Sequence, residues 1–173
     1  TRYLLVPGAE QPLPFNGGLG PAWFVDEVQW VNTAEEEVGA IAGLDPARTA
    51  AVHQSFEEVL GRVGNPGSDE VRLAQYHPEG STYEVSSDKG GLLVLSEVHY
   101  PVGWTALVDG EEVPLVRVNA LLSALKVPAG SHEVQLQYEP EGWGTARGLS
   151  RAGSLLWVIL LVFCGWMLRR KAE

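Results

Sequence analysis

The chain is 173 residues long, enough for one fair-sized domain with an appendage or for two small domains. Hydrophobic residues make up 45%, ordinary for a globular chain, which excludes a protein lying wholly inside a membrane. Positions 1–150 carry 8 basic and 21 acidic residues, a net of −13 that repels phosphate backbones and argues against nucleic acid as a partner. Thr1 is not an initiator Met and RYLLVP starts like the middle of a domain, so the chain is expected to be part of a longer one. Its single cysteine, Cys164, lies in an apolar tail, so the preceding part can form no disulfide of its own.

In chain order, Arg2 to Val6 reads as a strand, followed over residues 7–21 by a loop rich in proline and glycine. WFVDEVQWV, Trp23 to Val31, is a strand interrupted near Asp26-Glu27. Asn32 or Thr33 then caps a helix in which Glu35, Glu36 and Glu37 fill the first turn and Val38, Ile41 and Leu44 repeat at helical spacing, ended by Pro46. The helix dipole alone explains that acidic run, so no metal is assigned to it. Thr49 to Val52 is a short strand, Ser55 to Leu60 fits strand or helix, and residues 61–68 form a turn-rich connector.

Beyond the connector the pattern is β throughout. Residues 71–78 and 81–88 alternate on either side of Glu79-Gly80, and Lys89-Gly90-Gly91 turns into LLVLSEV, a continuous apolar run suited to a central strand. Trp104 to Val108 leads through an Asp109-Gly110 turn to a returning strand over Val113 to Val118. Asn119 to Val127 and His132 to Tyr138 are the last strands, with Pro128-Ala129-Gly130 between them. Residues 142–148 are expected to link this sheet to the tail.

The tail AGSLLWVILLVFCGWML, residues 152–168, carries no charge and spans roughly 26 Å as a helix, near the lower limit for a hydrocarbon core. Trp157 and Trp166 are candidate interfacial anchors, and Arg169, Arg170 and Lys171 form the flank expected on the cytoplasmic side.

The expected architecture is therefore mainly β: an extracytoplasmic β-sandwich, jelly-roll-like, with a small N-terminal α/β elaboration and one C-terminal transmembrane helix. Residues 1–68 form the elaboration, 69–145 the sandwich core, 149–168 the transmembrane helix and 169–173 a cytoplasmic tail. That places residues 1–145 on the outer side of a bacterial cytoplasmic membrane.

Chemistry is scarce. No GxSxG, HExxH, CxxC, P-loop or GxGxxG arrangement occurs, and His53, His77, His99 and His132 lack metal-ligand spacing. Glu97 and Asp109 could pair as acid and base, but the Asp-Gly turn already accounts for Asp109, and His132 reads as a surface histidine beside a turn. No catalytic residue, metal or cofactor is assigned. Tyr100, Trp104 and Trp143 lie beside turns, where flat rings can stack on a sugar or rest at a membrane interface, and are the candidate glycan contacts. At the start of a strand, Trp104 also suits a place in the core.

Two stretches carry a family resemblance. GLLVLSEVHYPVGWTALVDGEEVPLVRVNALLSALKVPAGSHEVQLQYEP, together with LGPAWFVDEVQWVNTAEEEVGAIAGLDPARTAAV upstream, resembles the C-terminal region of bacterial YfhO-like membrane proteins. The resemblance covers most of residues 19–140; where the family commonly has an aromatic after an asparagine, this chain has Asn119-Ala120. It implies a polytopic protein with many membrane helices before this region and one after it. Such proteins look like family C glycosyltransferases that use a polyprenyl-phosphate sugar at the outer membrane face, some acting on cell-wall polymers such as teichoic acids. The catalytic carboxylate is then expected in an early outer loop outside this chain, so no catalytic residue carries over. The implied role is that of a non-catalytic accessory domain in cell-envelope glycan or lipid-linked sugar transfer. Its expected partners are the lipid bilayer, the upstream helices, and a glycan or lipid-linked sugar. A pure carbohydrate-binding module and a structural interaction domain are the alternatives.

Overall fold

The computed structural model describes residues 3–4, 11, 13–14, 17–63, 67–140 and 142–170. It divides into two compact units, Thr1–Tyr138 and Glu139–Glu173. The first is mainly β and holds two large sheets; the second is one apolar helix.

The first unit opens with a two-residue ladder of β1 (Tyr3–Leu4) and β2 (Leu13–Pro14); the rest of the strand expected over Arg2 to Val6 lies outside the described residues. Then come β3 (Ala22–Val25) and β4 (Glu27–Val31), separated at Asp26 where the sequence breaks its alternation. Helix α1 (Ala34–Ile41) starts on an N-cap at Thr33, with the Glu36 side chain reaching back past the cap. Thr33 Oγ1 accepts from the Glu36 amide at 3.1 Å, and Glu36 Oε2 accepts from the Asn32 amide at 2.7 Å. From α1 the chain returns to β5 (Thr49–His53), which pairs in parallel with β4. The ambiguous segment after it is helical: a 3₁₀ turn over Gln54–Phe56 and a single α turn, α2 (Glu57–Leu60). Its start is fixed by His53 Nδ1, which accepts from the Ser55 amide at 3.2 Å.

Eight antiparallel strands follow. β6 (Asp69–His77) and β7 (Gly80–Ser87) form a hairpin whose turn is Pro78-Glu79, one residue earlier than the glycine suggests. Gly80 is a strand residue, paired with His77 and Gln137, and must be glycine because a Cβ there would run into the Leu136 carbonyl oxygen. β8 (Gly91–Val98), β9 (Trp104–Val108) and β10 (Glu111–Val113) come next, with the expected two-residue turn at Asp109-Gly110. The single returning strand expected over Val113 to Val118 does not form. The chain breaks at Pro114-Leu115, and β11 (Val116–Val118) joins the other sheet. Pro114 offers no N–H to a ladder, which favours a crossing there.

The strand expected from Asn119 is also shorter. Asn119 and Ala120 have φ of 50° and 61°, a left-handed turn, and β12 (Leu122–Val127) begins after it. β13 (Gly130–Tyr138) ends the unit. The five-stranded sheet has the order β10-β9-β13-β7-β6, and the six-stranded sheet β3-β8-β12-β11-β5-β4.

Alternation along β8 explains its unbroken apolar run. Leu93 and Leu95 join a core fed by both sheets, with Tyr83, Val85, Ala106, Val134 and Leu136. Leu92 and Val94 point the other way, into a second core with Val52, Leu60, Val116 and Val118. A strand buried on both faces needs apolar residues at every position. The N-terminal strands β3, β4 and β5 are full members of the six-stranded sheet and help build that second core.

In the second unit, α3 (Trp143–Arg170) is roughly 42 Å long. Its first turn occupies the segment expected to be a linker, so the helix begins at Trp143. Among the described residues it is the one helix long and apolar enough to cross a membrane, with mean hydropathy 1.2 over Trp143–Val162. Leu155, Leu156, Val158, Ile159, Leu161 and Val162 all stand exposed, and so continuous an apolar surface calls for an apolar solvent.

Candidate functional site

The segment His99 to Gly103 carries the chain from β8 in one sheet to β9 in the other. Pro101 restricts this crossing, and Gly103 supplies a φ of +81° just before the ladder resumes. Facing it is another inter-sheet crossing, Pro114-Leu115. Between the two lies a groove of about 540 Å³, lined by Phe56, His99, Tyr100, Trp104, Glu112 and Leu115 among others. A neighbouring hollow of about 460 Å³ shares Phe56, His99 and Pro101 with it and adds His53, Ser55 and Arg117.

Tyr100 and Trp104 are thus brought together on one groove, with different duties. Tyr100 is exposed. Trp104 is half-buried, packed on the shared core, and its ring lies 5.0 Å from that of Tyr138 at an interplanar angle of 43°. One face of the indole therefore serves stability. Trp143 belongs to the second unit. It stands in the first turn of α3, with the Arg147 guanidinium 5.7 Å from its ring centroid.

His99 is the polar centre of the groove. Its amide donates to the Leu121 carbonyl at 2.7 Å, and Nδ1 lies 3.4 Å from Ser123 Oγ, a long contact. Burial, and then the nearby Arg117 charge, push its pKa below the ordinary histidine value, so the ring is neutral at neutral pH. Among the described residues no carboxylate hydrogen-bonds to it. His53 is committed elsewhere, with Nε2 on the Asn32 carbonyl and Nδ1 on Ser55. A neutral imidazole, a carboxylate at Glu112 and aromatic faces form a surface that can bind a polyhydroxyl compound, with little to activate one.

Behind the groove sits a residue set that sequence reasoning missed. Glu37, in the acidic run ascribed to the helix dipole, is fully buried. Its Oε2 accepts from Arg117 Nη2 at 2.9 Å, and its Oε1 accepts from the Ala120 amide at 2.9 Å. Asn119 completes the knot, since its Oδ1 accepts from the Ala51 amide at 2.8 Å. Arg117 Nε is buried and has no hydrogen-bond partner among the described residues. Glu37 and Arg117 stand 80 positions apart in the chain, and no local pattern signals their meeting.

At the other end of the sheets, Asp109 does occupy its turn, with φ of 53°. His132 corrects the surface reading, for its side chain is only 16% exposed. His132 Nδ1 lies 2.6 Å from Asp109 Oδ2 and Nε2 lies 3.1 Å from the Ala129 carbonyl, so the protonated ring donates from both nitrogens. The Asp109 hydrogen bond, followed by that to Ala129, raises the His132 pKa. The same His132 bond lowers that of Asp109. The pair clamps two turns together. Glu97 ends β8 near the groove, whereas Asp109 follows the far end of β9, so the acid–base couple considered for them is not assembled.

A polar hollow of about 360 Å³ lies beside His132, where Arg72 is already paired with Glu84. No group of three or more His, Cys, Asp or Glu among the described residues could hold a metal ion.

Trp166 carries Arg170 at 3.9 Å over its ring near the end of α3; Trp157 lies near the helix midpoint, and Lys171 lies outside the described residues. Trp143 and Trp166 are 23 positions apart, roughly 35 Å along a helix, a separation suited to two membrane interfaces.

Residues 65–150 match the family described as bacterial membrane protein YfhO, a span from just before β6 into the first turns of α3. No curated protein and no solved structure matches the chain.

Proposed function

Because this chain is a YfhO-like membrane protein, we propose that its β unit is a non-catalytic accessory domain of a membrane glycosyltransferase-like protein. In this reading the two sheets form a jelly-roll-like sandwich, supported by a core fed by both, and lie on the outer side of the cytoplasmic membrane. Trp143 and Trp166 mark the two interfaces crossed by α3, and Arg169 and Arg170 lie on the cytoplasmic side. The groove at Tyr100 and Trp104 holds a glycan or lipid-linked sugar for chemistry performed by membrane helices outside this chain.

The observation that carries the reading is the groove itself, an exposed aromatic face beside a neutral histidine. Reconstitution of the chain in bilayers with a polyprenyl-phosphate sugar and an envelope polymer provides the test. The expected result is no transfer and no hydrolysis until the remaining membrane helices are supplied. Turnover by the chain alone would overturn the accessory role.

A stand-alone carbohydrate-binding module would use the same groove. It differs in keeping its full glycan affinity whether or not the upstream helices are present.

A further inference from the structure

Beside the groove, and sharing Tyr100 with its lining, stands a set of exposed apolar side chains. Val98, Tyr100, Val102 and Leu121 are 58%, 53%, 51% and 56% exposed, unusual for large apolar residues gathered in two neighbouring turns. The hydrogen bond from the His99 amide to the Leu121 carbonyl ties the two turns together, so the patch is preformed. Residues 98–106 and 113–132 contain no Asp or Glu, although positions 1–150 carry a net −13. The opposite end of the sheets presents Asp88, Lys89, Asp109 and Glu111, whereas at the patch's end the acids Glu79, Glu97 and Glu112 stand outside those two stretches.

Connectivity indicates what covers the patch. β13 ends at Tyr138, which pairs with Trp104 at the start of β9, so the chain leaves the sheets at the same end as the patch. Only positions 139–142 then precede the helix long and apolar enough to cross a membrane. Five peptide steps from Tyr138 to Trp143 reach at most about 19 Å.

We propose that Val98, Tyr100, Val102 and Leu121 form a second membrane contact, seated at the headgroup–acyl boundary of the bilayer that α3 enters. Tyrosine favours that boundary because its ring is apolar and its hydroxyl stays wet. The contact is made by apolar insertion, since Glu97 and Glu112 flank the tip and disfavour anionic lipid. It shares Tyr100 with the groove and brings the groove to the level of lipid headgroups.

The test uses the full chain with Cys164→Ser in phosphatidylcholine nanodiscs, spin-labelled at Val102→Cys or at Glu111→Cys. Accessibility to oxygen and to a water-soluble nickel chelate is read at both sites. The label at 102 is expected to favour oxygen by several-fold over nickel, and the label at 111 to favour nickel. Equal nickel access at both sites would place the tip in water and overturn the proposal. Shielding of 102 from both reagents would also overturn it, in favour of a protein partner. Neither readout involves a sugar, so failure here is separable from failure of the glycan reading.

Discussion

The two ends of the β unit are built on opposite electrostatic plans. At the groove end, a fully buried Glu37 holds Arg117 and the Ala120 amide, and Asn119 locks the same turn to β5. At the far end, Asp109 and His132 clamp two turns with a partly exposed ion pair. One device resists solvent and serves rigidity. The other titrates. The difference teaches that the groove is held by groups which do not hold a binding partner themselves.

Glu37→Ala should have the largest effect. It leaves the Arg117 charge and a part-buried amide without their acceptor, at a cost of about 2–4 kcal/mol once the partial exposure of Arg117 is discounted. Chemical denaturation measures this. A loss below about 0.5 kcal/mol would mean that the buried bridge does not hold the groove end.

The steric counterpart at the far end is Gly90→Ala, expected to cost about 1–3 kcal/mol. Gly90 has φ of +70°, and a Cβ there would lie 2.6 Å from the Val127 carbonyl oxygen. Glycine there answers to backbone geometry and not to charge, so its effect should not vary with pH.

A smaller pH-dependent effect separates the ends by sign. The folded His132 pKa is raised above 6.5, so its contribution is complete below 6.5 and fades as pH rises through the folded value. The Asp109 pKa is lowered, so its contribution is present above 3.8 and fades as pH falls through the folded value. His99 runs the other way: its lowered pKa gives stability that is complete above 6.5 and is lost as pH falls towards the folded value. Acidification through 6.5 therefore strengthens the far end and weakens the groove end. Melting of His132→Gln and His99→Gln across pH 5–8 should show opposite differences from the parent chain. Matching signs would refute the contrast.

What could be read from the sequence was local chemistry. The break at Asp26, a helix cap at Asn32 or Thr33, the Asp109-Gly110 hairpin and the unbroken apolar run of β8 each follow from neighbours a few residues apart. The split of β10 from β11 was less visible, although Pro114 supplied a signal that a ladder could not run through it. The Glu37–Arg117 bridge and the Asp109–His132 clamp join residues 80 and 23 positions apart. They depend on which strands pair, and alternation does not encode strand order. Of the candidate site, Tyr100 and Trp104 were legible as aromatics beside turns, but the groove between two inter-sheet crossings was not. The share of Trp104 that belongs to the core emerged only from its packing on Tyr138.

That packing makes Tyr100, not Trp104, the residue with which to probe the groove. The most direct measurement is calorimetric titration of the bilayer-reconstituted chain with envelope glycans and lipid-linked sugars, comparing the parent with Tyr100→Ala. Loss of one exposed stacking ring, about 1 kcal/mol, should weaken binding by roughly fivefold and leave thermal unfolding unchanged. Saturable binding with that loss is the predicted result. Binding unaffected by Tyr100→Ala, or no binding of any glycan by the parent chain, would contradict a sugar-holding groove.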